Sequence, residues 1–155
     1  YQIDQLYDVR TSPMSKFNFQ FNRPWLADDL PKFGIKYVYI GDKLGGLPKD
    51  PSCYTDGRVD YAKIREMSFF KDGINELLEE SKKGSKIALM CSESNPGECH
   101  RSKLIGQELL KQDINVQHIT TNGLKNQRRV ISELMKGNNT TNLFGNTDFK
   151  SRNSY

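Results

Sequence analysis

Four short runs of β-forming residues, QLYDVR, IKYVYIG, KIALM and NVQHIT, alternate along the chain with four runs of helical character. No other feature restricts the fold as much. A strand followed by a helix and another strand returns parallel to the first and packs the helix on the sheet. The helical runs are NRPWLADDLPKFG, DYAKIREMSFFKDGINELLEESKKG, CHRSKLIGQELLKQ and LKNQRRVISELMKG. The expected fold is α/β, a single open, mostly parallel sheet with helices on both faces. KIALM reads as its most buried strand. Asn22 suits an N-cap and Pro24 a first helical turn, while Gly34 and Gly84 suit helix ends. Gly73 is a place for a break in the second helix. DKLGGLPKDPSCYTDG reads as a loop of about sixteen residues, a length that in a small domain accompanies function or disorder.

A length of 155 residues suits one domain. Residues 1–136 carry the alternating pattern and form the α/β body. Residues 137–155 are rich in Asn and Thr without periodicity, and are expected to be a flexible C-terminal tail pinned to the surface by Leu143 and Phe144. The formal net charge of +4 admits a nucleotide or nucleic acid without requiring either. No apolar run approaches the ~20 residues that cross a bilayer, so no membrane partner is expected. Three cysteines are an odd count without a disulfide framework. With neither signal peptide nor initiator Met, a reducing, cytoplasmic setting fits. The chain opens at YQIDQLYDV already heading into a strand, and a segment upstream of it is expected.

In open α/β sheets ligands bind outside the carboxyl ends of the strands. That rule converges on DVRTSP after the first strand and on MCSESNPGECHR after KIALM. The second stretch packs two cysteines, two glutamates, a histidine and an arginine into twelve residues. Four readings suit it. A cysteine nucleophile after a strand, with a loop, an arginine and a helix, is the layout of tyrosine phosphatases and rhodaneses. Against it, nine residues separate Cys91 from Arg101, Pro96 brings no N–H, and Glu93 and Glu98 bring negative charge. A metal would draw on Cys91, Cys99 and His100, with Cys53 as a fourth ligand from the long loop. Zinc ligands usually pair two to four residues apart, and these cysteines stand eight apart. A Cys91–Cys99 redox pair lacks the C-x-x-C spacing. The preferred reading is a polar pocket for a small anionic or nucleotide-like ligand. Arg10 and Arg101 would supply forked donors, Glu93 would orient an arginine or accept from the ligand, and His100 would act as acid, base or donor.

The blocks DVRTSPMSKFNFQFN, GIKYVYIGDKLGG and CSESNPGECHRSKLIG, followed by V-Q-H-I, resemble domain-of-unknown-function family 488 from about Leu6 to Ile119. The resemblance implies a small α/β protein and leaves the reaction open. Its characteristic positions fall on Asp8, Arg10, Ser12, Pro13, Ser15, Phe17, Asn18 and Phe21, then on Leu44, Gly45 and Gly46. The last block gives Cys91, Glu93, Pro96, Cys99, His100 and Arg101. Phe19 stands where the family usually has Pro. The family's opening strand with a T-I-G-H-S type motif has no counterpart here, so one strand and a site histidine are expected to be missing. DVR is also similar to the first strand of rhodaneses, which keeps a cysteine-dependent transferase as an alternative.

The expected catalytic candidates are Cys91, Glu93 and His100. The expected ligand-binding residues are Asp8, Arg10, Ser12, Gly45, Gly46, Cys99 and Arg101, with no metal and no cofactor. Cys91 is expected to wall the pocket rather than attack, because nearby carboxylates disfavour its thiolate. Gly45 and Gly46 suit a tight loop or a close approach to ligand. Phe17, Phe19 and Phe21 alternate as core-facing residues do. A nucleic acid stacked on one of them beside Lys16 and Arg23 is the non-catalytic alternative.

Overall fold

The computed structural model describes residues 1–137 and 150–154. In chain order the elements are β1 (Gln5–Asp8), α1 (Arg23–Asp29), β2 (Lys36–Tyr39), α2 (Gly41–Leu44), β3 (Tyr54–Thr55), β4 (Arg58–Asp60), α3 (Tyr61–Glu66) and α4 (Ser68–Lys82). They continue with β5 (Ile87–Met90), α5 (Gln107–Lys111), β6 (Gln117–Thr120), β7 (Gly123–Asn126), α6 (Gln127–Gly137) and β8 (Lys150–Ser154). β1 lies between β2 and β5 and runs parallel to both, with Asp8 beside Tyr39 and Met90. The core gathers Tyr7, Val9 and Ile40 from the sheet side with Ile64, Phe70, Ile74, Leu77, Leu104, Ile105 and Ile131 from the helices.

The α/β class holds, and the single sheet does not. The parallel sheet has three strands, and two small antiparallel sheets stand apart from it, β3-β4-β8 and β6-β7. NVQHIT fails to become a fourth parallel strand because the residues after it form a hairpin. Thr121 and Asn122 make a two-residue turn, with Thr120 opposite Gly123. Gly123 takes φ +98°, and the Thr120 hydroxyl accepts from Asn122 N–H and donates to the Gly123 carbonyl. The last helix therefore starts at Gln127 and not at Leu124. Of KIALM, Lys86 is exposed and Ile87–Met90 are half-buried, and β1 is the buried strand. Among the described strands β5 pairs with β1 alone, so it is an edge.

The expected long loop is structured. It contains α2 and β3, and Asp56 and Gly57, at φ 50° and 69°, turn β3 into β4. Positive φ at both central residues is the requirement that Asp-Gly meets in hairpins. The second helix breaks at Met67, not at Gly73. Gly73 is buried, and a Cβ there would meet the Leu44 side chain at 2.8 Å. Gly34 and Gly84 end their helical segments in the left-handed region as expected. Asn22 starts α1 without capping it, and its Oδ1 accepts instead from Ser15 N–H. The flexible tail expected over residues 137–155 falls mostly outside the described residues, as do Leu143 and Phe144; Lys150–Ser154 pairs with β4. Phe17, Phe19 and Phe21 are 91%, 62% and 48% exposed and do not join the core. Phe19–Phe21 forms a 3₁₀ turn, which breaks the strand-like alternation that would have faced them inward. No described helix is long and apolar enough to cross a membrane.

A buried ion pair closes the end of β1. Asp8 is fully buried and accepts from Arg10 Nε at 2.8 Å, Arg10 Nη2 at 2.6 Å and the Tyr37 hydroxyl at 2.7 Å. Removing one partner of such a pair leaves an uncompensated buried charge. Asp8→Ala is therefore expected to cost about 3–5 kcal/mol in urea unfolding. Adding Arg10→Met to that variant should return much of the loss. A cost below ~1 kcal/mol for Asp8→Ala would show that the pair does not hold the strand end.

Candidate functional site

The two polar motifs meet where β1 and β5 end. Val9 N–H continues the ladder to Met90 O, and the Val9 carbonyl then accepts from His100 Nε2 at 3.2 Å. That bond places the ring proton on Nε2 and leaves the Nδ1 lone pair for other partners. Nδ1 points at two sulfurs, 3.5 Å from Cys91 Sγ and 3.9 Å from Cys99 Sγ. Glu93 Oε2 is bonded to Cys91 Sγ and lies 3.5 Å from Cys99 Sγ. One ligand atom from each of Cys91, Glu93, Cys99 and His100 lies within 4.8 Å of all the others.

The backbone explains the convergence. Cys91 immediately follows β5. Asn95 caps a 3₁₀ turn over Pro96–Glu98, and Cys99 and His100 then lead into the next helix. That helix opens with a wide π-helical stretch, Arg101–Gly106, before α5. π-helical turns of this kind often accompany functional sites. Its Ser102 carbonyl is taken by Gln127 Nε2 at 2.8 Å. Gly106 makes room for that carboxamide, since a Cβ there would meet Gln127 Oε1 at 2.7 Å.

Arg101 wraps the loop. Its Nε and backbone N–H donate to Cys99 Sγ at 3.2 and 3.4 Å, and Nη2 donates to the Glu93 carbonyl at 2.6 Å. Cys99 is buried, yet its thiol is held well below the ordinary range. The main cause is its bond with Cys91, helped by His100 and Arg101. The same bond, with burial, pushes the Cys91 thiol up.

A cleft of about 220 Å³ opens beside the cluster, lined by Arg10, Thr11, Ser12, Gly46, Leu47, Tyr61, Cys91, Ser92, Glu93, Glu98, His100 and Ser151. Six of the ten expected site residues line it. Asp8, Gly45, Cys99 and Arg101 do not. Both arginines are engaged within the protein, Arg10 by Asp8 and the Phe21 carbonyl, Arg101 by Cys99 and backbone carbonyls. Glu93 meets Arg101 through its carbonyl and not its carboxylate. Cys53, the fourth metal ligand considered above, is buried in the core instead. Gly45 and Gly46 are absent from the positive-φ residues, so a tight loop is not their reason. A Cβ on Gly45 would run into Gly41 O and Thr11, and one on Gly46 would lie 3.0 Å from the His100 ring.

Gly46 thus sets the position of the imidazole. Gly46→Ala is expected to displace the His100 ring and to cost about 1–3 kcal/mol in unfolding midpoint analysis. The His100 ring resonances should shift in a two-dimensional NMR spectrum. Unchanged stability and unchanged resonances would rule out the tight fit.

No curated protein and no solved structure matches the chain. The model of one family, described as a domain of unknown function, DUF488, matches residues 1–107, from before β1 through the first residue of α5. That match includes β1, β2, β5 and every member of the Cys91–Glu93–Cys99–His100 cluster, and the chain belongs to the DUF488 family.

Proposed function

We propose that this is a metal-binding domain, in which Cys91, Cys99, His100 and Glu93 hold a zinc-class divalent ion beside a cleft for a small polar ligand. One observation carries the reading: four ligand atoms of the right chemistry converge, with the imidazole lone pair already aimed by the Val9 carbonyl. Two thiolates, an imidazole and a carboxylate are zinc ligands. In a tetrahedral site with metal–ligand bonds of ~2.0–2.3 Å, neighbouring ligand atoms stand roughly 3.3–3.8 Å apart. The Cys91–His100, Cys99–Glu93 and Cys99–His100 separations are 3.5, 3.5 and 3.9 Å, while the Cys91–Glu93 pair, at 2.5 Å, has to widen around an ion. The hydrogen bond from His100 Nε2 to the Val9 carbonyl orients the ring, as the other ring nitrogen of a metal-bound histidine usually does. A cation also offsets the burial of thiolate charge at Cys99. All three cysteines are free, as a reducing, cytoplasmic setting would keep them.

Elemental analysis of protein purified without affinity tags or chelators tests this. About one zinc per chain is expected, retained through dialysis. Cys99→Ser and His100→Gln should lose it, while Cys53→Ser should keep it. Protein that is metal-free as purified and takes up neither zinc nor cobalt on titration would refute the reading.

A second reading, a non-catalytic surface for single-stranded nucleic acid, is favoured by the exposed Phe17, Phe19, Phe21 and Trp25. Successive bases stack on such side chains. Filter binding to oligonucleotides should then weaken steeply with salt, by roughly one logarithmic unit of slope per phosphate contacted. No binding at low salt would remove it.

A further inference from the structure

We infer that Glu93 is an exchangeable ligand, and that the centre is a hydrolytic one acting on a small uncharged substrate rather than a closed structural site. This rests on the metal reading above. The four ligands are not equally held. Cys99 and His100 are buried, and Cys91 is partly buried at the end of β5, whereas Glu93 is exposed in a loop whose Ser92, Ser94 and Asn95 are exposed as well. Among the described residues the Glu93 carboxylate bonds only to the two thiols. Its backbone is anchored separately by Arg101 Nη2. The side chain can therefore swing while the loop stays in place.

The direction of the swing matters. Cys91, Glu93 and His100 line the cleft and Cys99 does not, so the position that Glu93 vacates opens toward the cleft. Three protein ligands and one open position distinguish catalytic zinc sites from structural ones. When a Glu93 oxygen leaves the ion, a water takes its place and gives a proton to the freed carboxylate. The hydroxide that remains adds to the electrophilic carbon of an ester, amide or amine-bearing ring. The bond to the leaving group breaks, and Glu93 returns the proton to it, so an alcohol or amine departs. One water is consumed, and no electrons are exchanged with another molecule.

The charge of the cleft indicates the substrate. Arg10 is the one cation on its wall among the described residues, and Asp8 holds it in two hydrogen bonds. Glu93 and Glu98 stand on the same wall. Two thiolates and a carboxylate outweigh a divalent ion by one negative charge. Among the described residues, an anionic substrate would meet repulsion with no free guanidinium to offset it. The cleft volume of about 220 Å³ suits a small molecule.

Cobalt-loaded protein tests the open position, with imidazole, an uncharged ligand, as the probe. The visible spectrum of the bound ion is expected to change saturably with imidazole in the parent protein. In Glu93→Ala the same change should need at least tenfold less imidazole, because no carboxylate competes. Cobalt that binds but ignores imidazole would mean a closed centre; the inference would fall while the metal reading stood. Failure to bind cobalt at all would remove both. Zinc-loaded protein tests the base. It should hydrolyse 4-nitrophenyl acetate, an uncharged ester, and Glu93→Ala and Glu93→Gln should each be slower by about 10²-fold in kcat. Equal rates in parent and variants would overturn the role of Glu93.

Discussion

The hydrogen bond from His100 to the Val9 carbonyl joins the two halves of the site. Val9 stands one residue past β1, where its carbonyl is available to the histidine. By accepting a hydrogen bond from Nε2–H, that carbonyl decides which ring nitrogen faces the two sulfurs. It also draws the loop after β5 against the loop after β1, two segments about ninety residues apart in the chain. Gly46 and the Cys99 sulfur both stand against the ring it fixes.

The site burdens the fold with buried polarity, and the surrounding residues compensate in a consistent way. Asp8 and Arg10 neutralise each other, Gln127 takes the carbonyl that the π-helical turn leaves open, and Arg101 takes two carbonyls while donating to a sulfur. Each is a charged or amide side chain turned inward to satisfy a group near the cluster, which is what buried polar networks require. As a result the residues best suited to grip an anion are engaged in holding the scaffold. The chemistry exposed to the cleft is that of thiol, imidazole and carboxylate.

Part of this was legible in the chain. QLYD, KYVY and IALM form the parallel sheet, and the crevice rule brought DVRTSP and MCSESNPGECHR to one end of it. The short turns were harder. Asp56-Gly57 and Asn122-Gly123 carried hairpin signals, the first inside a stretch read as a loop and the second between a strand and a helix, and the second turn removed the expected fourth parallel strand. Partner choice was not legible either. Arg10 reads equally as an anion donor or as the partner of Asp8, and only the fold brings its guanidinium back onto the carboxylate. Spacing rules for zinc ligands, taken from short loops, weighed against Cys91 with Cys99, although the fold brings both to one His100 nitrogen. Glu93 as the fourth ligand, in place of Cys53, had no separate signal beyond lying in the same twelve residues.

Zinc K-edge X-ray absorption on the purified full chain tests the central claim most directly, because it reads the atoms around the metal and not merely its presence. If Cys91, Cys99, His100 and Glu93 hold the ion, the first shell contains two sulfurs at ~2.3 Å and two nitrogen or oxygen atoms at ~2.0–2.1 Å. Cys91→Ser should remove one sulfur from that shell. A shell of nitrogen and oxygen alone, unchanged when either cysteine is replaced, would contradict it.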